Sequence, residues 1–203
     1  MSGQSATIYT IGHSAHELDY FIGLLKGHSV TAVADVRSQP YSRTAHFNRE
    51  DLKAALKAEG IDYVFLGREL GARREEKECY VDGQAVYERV AELPLFRQGL
   101  DRLARGAQEY TIALMCAEKE PLDCHRTILI CRHLRAMGFR ICHILADGSV
   151  EEHPATERRL VQATDNSPDL FDYTMPTPER VERAYETRGK EIAYRQHREG
   201  KTA

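Results

Sequence analysis

The sequence predicts an α/β fold: a single three-layer domain with a mostly parallel sheet of about five strands, helices on both faces and a helical C-terminal tail. Three observations predict it. Short apolar runs alternate along the chain with segments whose apolar residues recur at helical spacing. Glycines, prolines and capping residues punctuate the junctions. The length of 203 residues suits one domain of ordinary size plus a tail, with a core that needs no disulfide or metal to hold it. Parallel neighbours require a crossover, and a helix with one apolar stripe provides it while covering the sheet.

Thr7–Gly12 is a β-rich run closed by glycine, and Ser14 with Glu17 three places on reads as a capping box opening the first helix. Leu18, Phe21, Ile22 and Leu25 form its apolar stripe, and Gly27 ends it. Val30–Val36 is the second strand, stopped by Ser38-Gln39-Pro40-Tyr41-Ser42-Arg43, which cannot continue a central strand. Asn48 caps a second helix with Leu52, Ala55 and Leu56 inward, Gly60 breaks it, and Ile61–Leu66 is the third strand. The charged stretch Gly67–Asp82 exceeds a usual connection and reads either as a binding segment or as a solvated insertion. Residues 84–105 are helical with a break near Pro94, burying Leu100 and Leu103, and Tyr110–Met115 is the fourth strand.

Asp123 is expected to cap a helix over Cys124–Met137 with Ile130, Cys131, Leu134 and Met137 inward, ended by Gly138. Phe139–Leu145 is the fifth strand. Asp147-Gly148 signals a turn that lets Ser149–Glu152 pair back before a helix near Ala155–Ala163. The α/β domain is therefore placed at 1–163. Residues 164–203 form a polar extension, loosely packed or used in association, with a terminal helix near Glu179–Arg198.

Charge is close to balanced, 28 basic against 31 acidic residues, which disfavours holding duplex nucleic acid through a one-sided basic excess. No apolar run approaches the roughly 20 residues that cross a bilayer, and Met1–Ala6 lacks the pattern of a signal peptide, so no membrane and a cytoplasmic location are expected. The five cysteines are odd in number and irregular in spacing, which argues for thiols over a disulfide framework. Most free cysteines are small buried apolar groups; only their context makes some of them candidates for chemistry.

That context is the carboxyl ends of the strands, where ligands of a doubly wound sheet bind. His13 and Ser14 follow the first strand; Asp35, Arg37 and Ser42 follow the second; Cys116, Glu118, Cys124, His125 and Arg126 follow the fourth. A helix starting at Cys124 would turn free amides and the positive end of its dipole toward a thiolate or anion. Arg126 adds a fork-shaped cation and His125 a group that titrates near neutrality. Nine residues separate Cys116 from Arg126 and one separates Cys124 from it, unlike the five of the phosphatase loop; the seven between the two cysteines exclude a Cys-x-x-Cys redox motif.

Three ordered motifs, Thr10-Ile-Gly-His-Ser14, Asp35-Val-Arg37 with Pro40 and Ser42, and Cys116-Ala-Glu118 followed by Pro121 and Cys124-His-Arg126, resemble the domain-of-unknown-function 488 family of prokaryotes over roughly Ala6 to His153. The resemblance implies a compact α/β domain with a site built from His13, Ser14, Asp35, Arg37, Cys116, Glu118, Cys124, His125 and Arg126. It assigns no substrate and no cofactor.

The function expected is a cysteine-dependent enzyme for a small anionic or nucleotide-like ligand. Cys116 or Cys124 is the nucleophile, His125 or His13 moves the proton, Glu118 orients, and Arg37 and Arg126 hold the anion beside Ser14, Asp35 and Ser42. One alternative is a module binding a nucleotide or nucleic-acid end through Arg37, Arg43, Arg68, Arg73 and Arg74, with Tyr41 or Phe47 stacking a base. The other is a metal-binding protein using Cys116, Cys124, His125 and His13 or His143. The spacing matches no standard zinc motif, so no residue is assigned to a metal; Cys142 and His143, adjacent on a strand, must point to opposite faces.

Overall fold

The computed structural model describes residues 6–165 and 176–196 and realises the predicted alternation of strand and helix. In chain order the elements are β1 (Thr7–Gly12), α1 (Leu18–Gly27), β2 (Ala32–Asp35), α2 (Arg49–Ala58), β3 (Asp62–Phe65) and α3 (Gly67–Leu70). Next come a small hairpin of β4 (Tyr80–Val81) and β5 (Gln84–Ala85), then α4 (Tyr87–Glu92), α5 (Pro94–Gly106) and β6 (Ile112–Cys116). The chain continues through a π-helical turn, Arg126–Cys131, into α6 (Arg132–Ala136), β7 (Arg140–Ile144), β8 (Val150–Glu152), α7 (His153–Thr164) and α8 (Pro178–Ile192).

Six strands form one sheet in the order β3-β2-β6-β1-β7-β8, all parallel except β8, which returns antiparallel on β7. The turn at Asp147-Gly148 thus does what its sequence predicts. β6 is buried at all five of its positions because it lies mid-sheet with helices on both faces, whereas edge strand β3 alternates exposed and half-buried residues. Ile112, Leu114 and Cys116 face one core with Phe96, Leu103, Leu134 and Tyr185. Ala113 and Met115 face the other with Phe21, Leu25, Leu52 and Leu56 from α1 and α2. This period of two turns one apolar run into two cores. The connections after β1 and β2 run toward β3, while that after β6 runs back over β1 to β7, so the carboxyl end of β6 sits at the switch in strand order.

Several expectations change, each for a tertiary reason. Ser14 does not cap α1: it adopts φ 48° and its N–H donates to the Ala117 carbonyl at 3.0 Å, extending the β1–β6 contact, so the helix starts only at Leu18. Asp123 does not cap the helix after β6. It belongs to a short 3-10 turn, Pro121–Asp123, and its carboxylate pairs with Arg188 of α8. Cys124 is extended, and its carbonyl accepts from the amides of Thr127 and Ile128 at 3.1 Å each, so the cysteine itself occupies the capping position.

The π-helical turn that follows is wider than an α-turn and shifts the phase of what comes after, leaving Met137 45% exposed instead of inward. The charged 67–82 stretch is ordered rather than a bare solvated insertion: Arg74 is buried, pairs with Glu76 at 2.7 Å and donates to the Arg68 carbonyl at 2.7 Å. Loose packing fails for α8. Val181, Ala184 and Tyr185 are buried, and the Tyr185 hydroxyl donates to Glu157 of α7 at 2.9 Å. That helix ends earlier than expected, at Ile192, because residues 194–196 bond to the small hairpin instead; Arg198 itself lies outside the described residues. Among the described residues no helix is long and apolar enough to cross a membrane.

Candidate functional site

Beyond the carboxyl end of β6 opens a cleft of about 310 Å³, whose floor includes Cys116, Ala117, Glu118 and His125. Its position follows from the backbone. Gly12 lets β1 close on the next loop, because a Cβ there would collide with the Glu118 carbonyl. The His13 amide then donates to the Cys116 carbonyl at 2.9 Å and fixes where the thiol emerges.

The thiols of Cys116 and Cys124 converge on one carboxylate oxygen, Oε2 of Glu118, at 2.8 and 3.1 Å. His125 faces them. Its Nε2 lies 3.0 Å from the Val36 carbonyl, which can only accept, so that nitrogen carries the proton and Nδ1 presents its lone pair to Cys116 Sγ at 3.7 Å and Cys124 Sγ at 3.9 Å. The Arg126 amide also donates to Cys124 Sγ at 3.4 Å.

Burial alone would raise both thiols. For Cys124 that effect is outweighed by the bond from Cys116, the Arg126 charge and His125, which hold it well below the ordinary thiol range. Cys116 goes well above, through burial first and then through Cys124 and Glu118. His125 is raised: burial opposes, but the bond and charge of Cys124 and the charge of Glu118 prevail.

Arg126 is fully buried and does not face the cleft. Its guanidinium donates to the carbonyls of Glu118 at 2.6 Å and Lys119 at 3.3 Å, so it braces the loop that carries Glu118.

Asp35, Arg37 and His13 form a second buried group along one wall. Arg37 grips Asp35 through Nε at 2.9 Å and Nη2 at 2.6 Å, and Tyr63 donates its hydroxyl to Asp35 at 2.7 Å. Nη1 donates to the Phe47 carbonyl at 2.9 Å and to His13 Nε2 at 3.2 Å. His13 Nδ1 in turn donates to the Ser14 carbonyl at 2.8 Å. Both ring nitrogens of His13 are thus committed, and burial together with the Arg37 charge lowers its pKa to about 4. It is a neutral support for Arg37, stacked on Phe47 at 4.3 Å.

Of the residues expected from the sequence, the fold gathers Cys116, Glu118, His125 and Arg37 at the cleft, with Cys124 buried behind Glu118 and His125, and His13 and Asp35 behind Arg37. Ser14 and Ser42 do not line it. Ser42 shapes its own turn, accepting from the Thr44 amide at 3.1 Å and donating its amide to Asn48 at 2.9 Å. Residues missed by sequence reasoning complete the rim: Gln39, Tyr87, Ile192 and Tyr194. Tyr194 follows α8, and its carbonyl accepts from the Ala85 amide at 2.9 Å while Arg73 lies over its ring at 4.7 Å. Nothing in sequence spacing ties residue 194 to residue 73; only the fold does.

A family model described as "Domain of unknown function DUF488" matches residues 17–132. The matched span contains the second and third motifs and begins after the first. Neither the curated proteins nor the solved structures gave a match.

Proposed function

The chain belongs to this family, and, since membership hands down no reaction, we propose one from the cleft: a cysteine-dependent enzyme acting on a small anionic or nucleotide-like substrate, with Cys116 as nucleophile. One observation carries the proposal. The unprotonated nitrogen of His125 faces two thiols, of which Cys116 lines the cleft and Cys124 lies buried behind it, and its other nitrogen is held by the Val36 carbonyl.

Transfer of the Cys124 proton to His125 Nδ1, 3.9 Å away, makes the thiolate–imidazolium pair that activates sulfur nucleophiles elsewhere. Cys116, which lines the cleft, passes its proton to the Cys124 thiolate as its sulfur bonds to the electrophilic atom of the substrate. The bond to the leaving group breaks, and His125 Nδ1–H protonates it. Cys124 is then a neutral thiol, His125 a neutral imidazole, and Cys116 carries the transferred group.

Arg73, exposed at the rim, supplies the substrate's counter-charge, because Asp35 already neutralises Arg37. Tyr41, 79% exposed, offers a stacking surface. A cytoplasmic setting, where thiols stay reduced, suits this chemistry. Binding without catalysis is less well supported, since Phe47 is buried against His13 and Arg74 is spent on Glu76.

The test is iodoacetamide alkylation at graded pH with mass mapping of the five cysteines. The expected result is labelling of Cys116 or Cys124 at pH 6 at least about tenfold faster than a free thiol of pKa about 8.5, an advantage that His125→Ala removes. Labelling of both no faster than free cysteine would end the proposal.

A further inference from the structure

We propose that the same four side chains form a binding site for one zinc ion, coordinated by Cys116 Sγ, Cys124 Sγ, His125 Nδ1 and Glu118 Oε2, and that zinc occupancy silences the thiols. The inference shares its residues with the enzyme proposal above but does not need a substrate to be tested.

The donor atoms all lie within 4.8 Å of one another. In a tetrahedral site with Zn–S near 2.3 Å and Zn–N near 2.05 Å, sulfur and nitrogen ligands sit about 3.6 Å apart. The two sulfur-to-Nδ1 separations here are 3.7 and 3.9 Å. The Glu118 oxygen is nearer to the sulfurs, at 2.8 and 3.1 Å, so it swings outward by several tenths of an ångström as the ion enters. The loop backbone is braced, but Glu118 is exposed and its side chain has room for that swing.

The surroundings fit a metal as well as the ligands do. Metal-bound histidines donate their second nitrogen to a carbonyl or carboxylate, and His125 Nε2 is already held 3.0 Å from the Val36 carbonyl. The Arg126 amide donates to Cys124 Sγ at 3.4 Å, as an outer-shell amide does to a metal thiolate. Charge also balances: two thiolates and a carboxylate carry three negative charges, zinc offsets two, and the buried Arg126 guanidinium offsets the third. Two sulfurs, an imidazole and a carboxylate suit zinc better than magnesium or calcium, which want oxygen, or copper(I), which has no use for the carboxylate.

Each thiol that becomes a ligand gives its proton to solvent, so binding strengthens as pH rises. A ligated Cys116 sulfur surrenders charge to the metal, which lowers its nucleophilicity, and His125 Nδ1, once bound to zinc, carries no proton for the leaving group. Zinc and thiol chemistry therefore exclude each other at this site, and the metal acts as an off-switch.

The experiment uses the full chain, reduced and stripped with a chelator, then titrated with zinc chloride against a chromogenic chelator. One equivalent is expected to bind. Cys116→Ser and Cys124→Ser each weaken binding at least about 100-fold, and Glu118→Gln weakens it about 10-fold. Cobalt(II) substitution gives a readout independent of affinity: tetrahedral visible bands with a sulfur charge-transfer band, reduced in each single cysteine variant. One equivalent of zinc is expected to protect Cys116 and Cys124 from iodoacetamide while leaving labelling of Cys79, Cys131 and Cys142 unchanged. Circular dichroism confirms that each variant is folded; should a serine variant unfold, Glu118→Gln and the cobalt spectrum of the unaltered chain still decide.

Binding short of one equivalent, equal affinity in the double cysteine variant, or cobalt bands without a thiolate component overturns the site. Zinc bound at full stoichiometry without slowing alkylation overturns the off-switch. Unreactive thiols in the metal-free chain leave the zinc site standing and remove only the enzyme proposal.

Discussion

Asp35 and Arg37 stand two residues apart, and the side chains are 0% and 5% exposed. A buried pair of this kind adds little net stability, because both charges gave up water to form it, yet breaking it is costly since the survivor stays buried. Asp35→Asn removes the charge that offsets the Arg37 guanidinium and leaves it neutral acceptors alone, the remaining amide oxygen, the Phe47 carbonyl and His13. It should therefore cost about 3–5 kcal/mol, read as a lower urea midpoint at unchanged slope. Asp35→Asn combined with Arg37→Met should recover part of that loss, because no isolated charge remains. A double variant no more stable than the single one would show that the charge pair is not what Asp35 supplies.

At the scale of elements, the site depends on how closely β1 and the loop after β6 approach. Gly12→Ala places a methyl group where the Glu118 carbonyl sits, so the loop must shift and carry Glu118 away from the thiols. A loss of about 1–3 kcal/mol follows, the usual cost of forcing atoms into packed space. Gly23, within α1, has nothing within 4 Å of the same added atom, so Gly23→Ala should be neutral or stabilising by up to about 1 kcal/mol. Thermal melts of the two variants compare the same chemical change at a crowded and an open position. Equal effects would mean that the close approach at Gly12 is not structural.

Across the whole molecule, a buried relay ties the sheet to the C-terminal helix. Thr10 meets His143 at 2.8 Å, His143 meets His153 at 2.9 Å, and His153 meets the Tyr185 hydroxyl at 2.9 Å. Burial, reinforced by the nearby Arg135 charge, lowers His153 to about 4, and His143 is held well below its ordinary value by burial and by His153. His13 is likewise lowered to about 4. Folded-state values below the unfolded value of about 6.5 mean that the unfolded chain binds protons first as the pH falls. Stability contributed by these neutral histidines is therefore complete above about pH 6.5 and is lost progressively down to about pH 4. Urea midpoints at pH 7, 6 and 5 should fall in that order, and a flat profile would contradict the neutral, buried assignment.

The sequence by itself determined the layering and the ends of the strands. Apolar period two and period 3.6 are local properties, and burial on two faces leaves a mark in every residue of β6. It also placed Cys116, Glu118, Cys124 and His125 on one connection, since strand, loop and helix are consecutive in the chain.

Only the tertiary structure decided three things. Cys124, rather than Asp123, takes the capping position, because Asp123 is drawn to Arg188 from a helix more than sixty residues later. Arg126 braces a loop instead of facing a ligand, because the π-helical turn buries it completely. Tyr194 closes the cleft because the segment after α8 pairs with the small hairpin. In each case a residue's partner is set by distance in space, and pattern along the chain carries information only over the few residues that one helical turn or one strand pair spans.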